Sequence, residues 1–170
     1  MAEEVDMVDV VKKVVGWSAV AGVAVFGGVS AFGDDTTRNE QNEIIESGGL
    51  GAFAVEVGDC LNLPSELDVV QSVEGVPCTQ AHNAQAYAIF DLTGFGDAFP
   101  GRAAFEEQAA KGCYERFQSF VGISFEQSEL YFTTLEPTED SWVELDDREI
   151  VCLLGLESGT FTYDAQNSKR

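Results

Sequence analysis

Residues 14–33, VVGWSAVAGVAVFGGVSAFG, contain no charged side chain. As a helix, these 20 residues would cover about 30 Å, the thickness of a bilayer's hydrocarbon core. The run splits the chain into a short acidic lead and a long polar remainder. Trp17 lies near one end, where an indole suits the membrane interface. Gly16, Ala19, Gly22, Val23 and Phe26 recur at spacings of three and four. They form a small-residue face on which another transmembrane helix can pack. Val29-Ser30-Ala31 resembles a small-x-small cleavage site, so a signal peptide is the competing reading. The run is longer than a usual signal core, and four acids precede it. A buried globular helix would not tolerate so many glycines. The expectation is an uncleaved single-pass anchor. Lys12 and Lys13 flank its N-terminal side, and Asp34, Asp35 and Arg38 its other side. The positive-inside rule then keeps residues 1–13 in the cytoplasm and exports everything after residue 33 across the plasma membrane.

Among 170 residues, 30 acids stand against 9 Lys and Arg, a net charge of −21. Nucleic acid is excluded as a partner, because phosphate contacts need clustered cations. His82 is the single histidine, so no zinc site of two or three histidines is available within the chain. There is no P-loop, GxGxxG, GxSxG or CxxC. No catalytic, cofactor-binding or metal-ligating residues are expected, and no cofactor.

Residues 34–52 are polar and end in Gly48-Gly49 and Gly51, which reads as a linker with room for a short helix over 38–47. The exported domain then spans 53–163, with 164–170 as a frayed tail. Strands are expected over 54–61, 69–73, 84–92, 129–135 and 149–154. In the third, Tyr87, Ile89 and Asp91 share one face, and Ala86, Ala88 and Phe90 the other. Residues 102–121 carry Phe105, Ala109, Cys113, Phe117, Phe120 and Val121 on one helical stripe, and Gly122 suits the position after a helix end. Residues 136–147 read as a loop. The pattern predicts an α+β fold: a transmembrane helix, then a small disulfide-stapled antiparallel sheet packed on one main helix.

Cys60, Cys78, Cys113 and Cys152 all lie in the part expected to be exported, where disulfides persist. Four cysteines allow three pairings, and sequence alone does not select among them. The preferred pairing is Cys60–Cys78 with Cys113–Cys152. The first closes a local loop, and the second staples the helix stripe to the last strand. A Cys78–His82 metal pair lacks further ligands nearby.

Val57-Gly58-Asp59-Cys60-Leu61, followed by Val76-Pro77-Cys78-Thr79-Gln80-Ala81-His82, resembles the actinobacterial septum formation family. That family is similar in having V-G-D-C, then V-P-C-[ST]-x-P-H-x-x-E, a helix with Gly-Cys, and W-x-x-G-D-R before a fourth cysteine. Here Gly112-Cys113 lies on the helix, and Trp142, Asp147-Arg148 and Cys152 follow in order. Ala81 stands where the family has proline, Gln85 where it has an acid, and Leu145-Asp146 where it has glycine. The resemblance covers about residues 55–154. It implies membrane-anchored exported proteins connected with division, and it implies no catalytic residues.

His82 reads as a turn-fixing side chain rather than an exposed pH sensor. Asp59 after Gly58 reads as a turn former. Asp146 and Asp147 are expected to pair with Arg148. A calcium site from Glu139, Asp140, Asp146 and Asp147 lacks regular ligand spacing. Residues 53–164 hold 21 acids against Arg102, Lys111, Arg116 and Arg148, a balance of −17. Such a surface attracts a basic partner and repels anionic lipid headgroups. The expected function is a non-enzymatic accessory subunit of a cell-envelope membrane complex, for division, respiration or transport. It would contact integral membrane proteins through its span and its exported domain. The alternative is a carboxylate-based envelope enzyme or ligand-binding domain acting on cell-wall material, which a cleft holding a carboxylate of raised pKa would favour.

Overall fold

Arg102–Val121 forms the one long helix of the described residues, α1. Its apolar side chains recur at helical spacing, and Phe105, Ala109, Cys113, Phe117, Phe120 and Val121 are all buried. Gly122 ends it, its N–H bonded 2.9 Å from the Gln118 carbonyl. The structure is a computed structural model that describes residues 21–23, 34–64 and 72–170.

The sheet facing α1 has seven strands: β1 (Ala21–Val23), β4 (Gly48–Gly51), β5 (Cys60–Asn62), β6 (Ser72–Val76), β7 (Ala84–Asp91), β8 (Tyr131–Pro137) and β9 (Glu149–Gly155). Their order is β1-β8-β9-β7-β5-β6-β4. Every pairing is antiparallel except β1 with β8, which is parallel. A separate hairpin joins β2 (Thr37–Arg38) to β3 (Ile44–Glu46). The fold is α+β with antiparallel sheets, one main helix and two disulfides, Cys60–Cys78 and Cys113–Cys152. This is the pairing preferred from the sequence.

Two apolar clusters lie on the two faces of the sheet. On the α1 side, Phe105, Phe117 and Cys113 pack with Tyr87, Phe132, Ile150 and Cys152. Gly112 faces the sheet there, because a side-chain carbon at that position would stand 2.3 Å from the Phe90 ring. On the other face, Leu50, Leu61, Val73, Ala86, Leu135, Val151 and Leu153 pack together, joined by Ile44 of the hairpin and by Ala52 and Val55. A β-bulge at Tyr87 sets the faces of β7: Ala86 pairs with Leu153 and Ala88 with Cys152, leaving Tyr87 as the extra residue. Tyr87, Ala88 and Phe90 therefore face α1, whereas Ala86 and Ile89 face the second core. Strict alternation put Tyr87 with Ile89, and the bulge breaks that alternation. It also brings the Tyr87 hydroxyl to the Cys113 carbonyl, 2.9 Å away.

The stretch expected to be a linker is folded. Residues 34–51 contain β2, β3 and β4, and Ile44 and Leu50 are buried. Two glycines face each other where β4 meets β6, Gly48 opposite Gly75. The expected helix over 38–47 is replaced by the β2–β3 hairpin, which turns through Asn42 in the left-handed region (φ 67°). The tail is also ordered. Ala165 is fully buried, and the Asn167 and Lys169 N–H groups bond to the Phe120 and Val121 carbonyls at 2.8 and 2.9 Å. These bonds take up carbonyls at the end of α1 that the helix itself leaves unpaired.

Three smaller differences concern element bounds. Ala52–Ala54 is a single 3-10 turn, so the first strand of the expected domain begins at Cys60. Strand β6 begins at Ser72 among the described residues, beyond most of the expected 69–73. The expected loop 136–147 contains a short helix, α2 (Glu139–Glu144). It is nucleated by a capping box in which the Ser141 N–H bonds Thr138 Oγ1 and the Thr138 N–H bonds Ser141 Oγ, both at 3.0 Å.

Most of the expected anchor, including Gly16, Ala19 and Phe26 of its packing face, lies outside the described residues, as does the cytoplasmic lead. The three described residues of that run, Ala21–Val23, are strand and not helix. They lie along β8 with Gly22 opposite Glu136. Extended backbone here completes the hydrogen bonding of what would otherwise be an open sheet edge. No helix among the described residues is long and apolar enough to cross a membrane.

Candidate functional site

Among the described residues, two clefts of about 530 and 520 Å³ open on the domain, and the first is built from the V-G-D-C and V-P-C segments. Val57-Gly58-Asp59-Cys60 turns tightly into β5, with Gly58 in the left-handed region at φ 104°. The Gly58 N–H donates to the Ala86 carbonyl at 2.8 Å, and the Ala86 N–H to the Asp59 carbonyl at 2.9 Å. Val76-Pro77-Cys78-Thr79 leaves β6 beside it. The Cys60–Cys78 disulfide joins the two segments, with Cα atoms 5.2 Å apart. Residues 41–45 of the hairpin form one wall and Asp164 and Gln166 another, enclosing about 530 Å³.

Asp59 does more than form the turn. It is buried and accepts a bidentate pair from Arg38, Nη1 to Oδ1 at 2.7 Å and Nη2 to Oδ2 at 2.9 Å. The Glu56 N–H donates to it as well, at 2.8 Å. The Asp59 carboxylate raises the Arg38 pKa, and Asp34, 2.9 Å from Arg38 Nε, adds to the effect. Burial of Asp34 pushes its own carboxyl upward, but hydrogen bonds from Thr36 and Arg38 outweigh this and hold it below the ordinary range. Arg38 thus locks the hairpin wall to the motif turn.

Gln85 is fully buried and ties two residues of the cleft lining, Gly58 and Asp164, together. Its Nε2 donates to the Gly58 carbonyl at 3.0 Å and to Asp164 at 2.8 Å, while its Oε1 accepts from the Ala165 N–H at 2.8 Å. A carboxylate in this position could not donate to either oxygen. The departure from the family's acid is therefore matched by Asp164. His82 is buried too, as expected of a turn-fixing side chain. Its Nδ1 lies 2.8 Å from the Gln80 carbonyl, its ring 4.1 Å from that of Phe161, and its Nε2 has no hydrogen-bond partner among the described residues. Burial lowers its pKa, against smaller upward effects of the Gln80 carbonyl and Asp164.

The second cleft, of about 520 Å³, is lined by Phe53, Asp91, Leu92 and residues 145–149. Arg148 forms its back. The guanidinium lies 3.7 Å over the Trp142 ring, donates to the Trp142 and Asp147 carbonyls at 2.9 Å, and meets Asp146 at 2.8 Å. Asp147 accepts from Ser141 Oγ at 2.9 Å and from the Glu149 N–H at 3.1 Å. Asp146 sits in the left-handed region at φ 56°, where the family pattern has glycine. Burial raises the pKa of both Asp147 and Glu149, and Asp91 pushes each further up.

The five large apolar side chains exposed among the described residues are Ile45, Phe53, Val57, Val143 and Leu145. Ile45 and Val57 line the first cleft, Phe53 and Leu145 the second, and Val143 lies two residues from Leu145. Among the described residues no three of His, Cys, Asp and Glu come together to hold a metal ion. All four cysteines are disulfide-bonded, so Cys78 is not a thiolate ligand beside His82. Sequence reasoning missed the Arg38–Asp59 lock, the Gln85–Asp164 tie and both apolar rims.

These features define a disulfide-stapled α+β domain in which four of the five large apolar side chains exposed among the described residues line two acidic-rimmed clefts. The family model for septum formation matches residues 29–152. The chain therefore belongs to the septum formation family. No curated protein and no solved structure matches it.

Proposed function

We propose that this chain is a non-enzymatic, single-pass plasma-membrane protein whose acidic domain is exported and acts as an interaction subunit of a division-related envelope complex. Its membership in the septum formation family supports the connection with division. The observation that carries the interaction role is the concentration of exposed apolar side chains at the two clefts. Scattered apolar surface needs no explanation, but grouped apolar surface marks contact sites. Residues 14–33 would supply the anchor, with the N-terminus cytoplasmic. Gly16, Ala19, Gly22, Val23 and Phe26 would meet an integral membrane partner. In the membrane, residues 21–23 would leave the β8 edge and join the helix. Two contacts on one chain reinforce each other, because the second is intramolecular once the first has formed.

Purification from mild detergent tests this reading. The chain should co-migrate with other membrane proteins, and Gly22→Leu should release it. A chain that runs alone in detergent and crosslinks to nothing in cells overturns the reading.

One observation favours the enzyme alternative. Asp91 stands directly opposite Glu149 in the β7–β9 ladder, and the Glu149 carboxyl is raised. Glycan hydrolysis needs two carboxylates of different protonation. Release of reducing ends from cell-wall glycan by the wild type, lost in Glu149→Gln, would establish that reading over the first.

A further inference from the structure

We propose that the second cleft binds a basic segment of a partner protein, with a Lys or Arg side chain against Asp91 and Glu149 and a neighbouring apolar side chain between Phe53 and Leu145. This rests on the reading of the domain as an interaction subunit and names the chemistry of its partner.

Charge and apolar surface together select this occupant. Asp91 and Glu149 are directly paired across β7 and β9. Like charges so placed repel each other, and nothing in the ladder requires them there. Neither carboxylate has a cationic partner among the described residues. Arg148 is the one cation in the cleft lining, and it is turned onto Trp142 and Asp146 and spends its other donors on backbone carbonyls. Asp147 is occupied by Ser141 and the Glu149 N–H. The unneutralised pair therefore belongs to Asp91 and Glu149. Beside it, Phe53 and Leu145 expose apolar surface, and the buried Leu92 is part of the same lining. A cation alone would leave these two side chains in water. An anionic lipid surface would be repelled. A polypeptide carrying both a cation and an apolar side chain satisfies both features, and a central apolar anchor with a charged neighbour is how such contacts gain affinity.

The test uses the full chain in mild detergent and a dye-labelled peptide, acetyl-Lys-Leu-Lys-Lys-amide, followed by fluorescence anisotropy. Asp91→Asn with Glu149→Gln should weaken binding roughly tenfold. Glu106→Gln with Glu107→Gln makes the same change in net charge on α1 and should leave binding unchanged. Replacing the peptide's leucine by glycine should weaken it several-fold. Equal losses in the two double variants would mean that the peptide senses net charge only, and the proposal falls. Absence of binding to the wild type overturns it as well. In cells, a photo-crosslinking residue at Leu145 should capture a partner peptide that contains Lys or Arg. Capture of lipid, or of a second copy of this chain, overturns the proposal. If the complex survives detergent while both cleft assays fail, only this assignment falls. If the chain runs alone in detergent, the interaction reading falls and this proposal falls with it.

Discussion

Cys113–Cys152 ties α1 to β9 inside an apolar core, with both cysteines fully buried. Cys60–Cys78 ties β5 to the turn after β6 at the edge of an open cleft, where Cys78 is partly exposed. Around the first disulfide the contacts are rings: Phe117, Phe125 and Phe132 lie with centroids 4.9 to 6.4 Å apart. Around the second they are polar ties between distant segments. Arg38 meets Asp59 across 21 residues, and Gln85 meets Asp164 across 79. The α1 half is a packed core whose stabilisation is spread over many apolar contacts. The cleft half depends on a few bonds whose partners are already desolvated. That leaves the cleft half sensitive to single changes, and it is the half that holds the V-G-D-C and V-P-C segments.

Arg38→Ala should break the cleft half most. It leaves the Asp59 carboxylate buried without its counter-ion, and losing one member of a buried pair costs about 3–5 kcal/mol. Urea denaturation should show this loss, with Arg38→Lys recovering only part of it, because an ammonium cannot bond both carboxylate oxygens in parallel. A loss below about 1 kcal/mol would place the pair in the class of surface ion pairs and erase the contrast between the halves.

The α1 half has a buried charge of its own. Glu136 is 3% exposed, its Oε2 has no hydrogen-bond partner among the described residues, and its pKa is pushed up to about 7, mainly by burial. A carboxyl raised in the folded state favours folding fully below its unfolded pKa, near 4.5. That contribution is lost as pH rises through about 7. The span corresponds to about 3 kcal/mol. Glu136→Gln should therefore stabilise the protein at pH 8 and have little effect near pH 4. Melting temperatures across that range test it, and a pH-independent effect refutes it. His82 acts at the acid end. Burial depresses its folded pKa below the unfolded value near 6.5, so its neutral form sustains stability above that pH and the contribution is lost as pH falls.

The two disulfides should also separate under mild reduction. Attack requires a thiolate to reach a sulfur atom. Cys78 is reachable from the cleft, whereas Cys113 and Cys152 are sealed. Alkylation and mass mapping should find Cys60 and Cys78 modified first. Simultaneous modification would mean that the core opens as readily as the cleft.

The same contrast explains what could be read from the residues alone. Helix α1, its buried stripe and the strands β7 and β9 follow from apolar periodicity, which is local. The stripe and the loop length favour the observed disulfide partners, although the sequence alone leaves three pairings open. Residues 34–52 read as a linker because their structure comes from outside. Arg38 finds Asp59, Ile44 reaches the second core, and no local pattern announces either contact. The tail is similar: 164–170 is polar, yet Gln85 and the last carbonyls of α1 hold it. The bulge at Tyr87 left no sign in the alternation of β7 and moved half of its side chains to the other face. The site was half legible. The V-G-D-C and V-P-C segments mark the first cleft, whereas the second is assembled from three separate segments, of which Asp147-Arg148 alone belongs to the family pattern.

The smallest expected effect concerns Asp146, where this chain departs from the glycine of the family pattern. The residue holds φ 56° in the turn between α2 and β9. The left-handed region costs an ordinary L-residue about 1–2 kcal/mol, and Asp is among the residues that tolerate it best. Asp146→Gly removes the remaining strain. It also frees the unfolded chain and deletes a contact with Arg148 on a side chain that is 88% exposed, and exposed pairs of this kind contribute about 0–1 kcal/mol. These terms oppose one another, so the net change should stay within about 0.5 kcal/mol. Asp146→Val keeps the strain, adds a β-branched side chain and loses the same contact, so it should cost about 1–2 kcal/mol. Thermal melts of the two variants separate backbone from charge. If glycine costs as much as valine, the Arg148 contact holds the turn, and the second cleft depends on polar ties in the way the first one does.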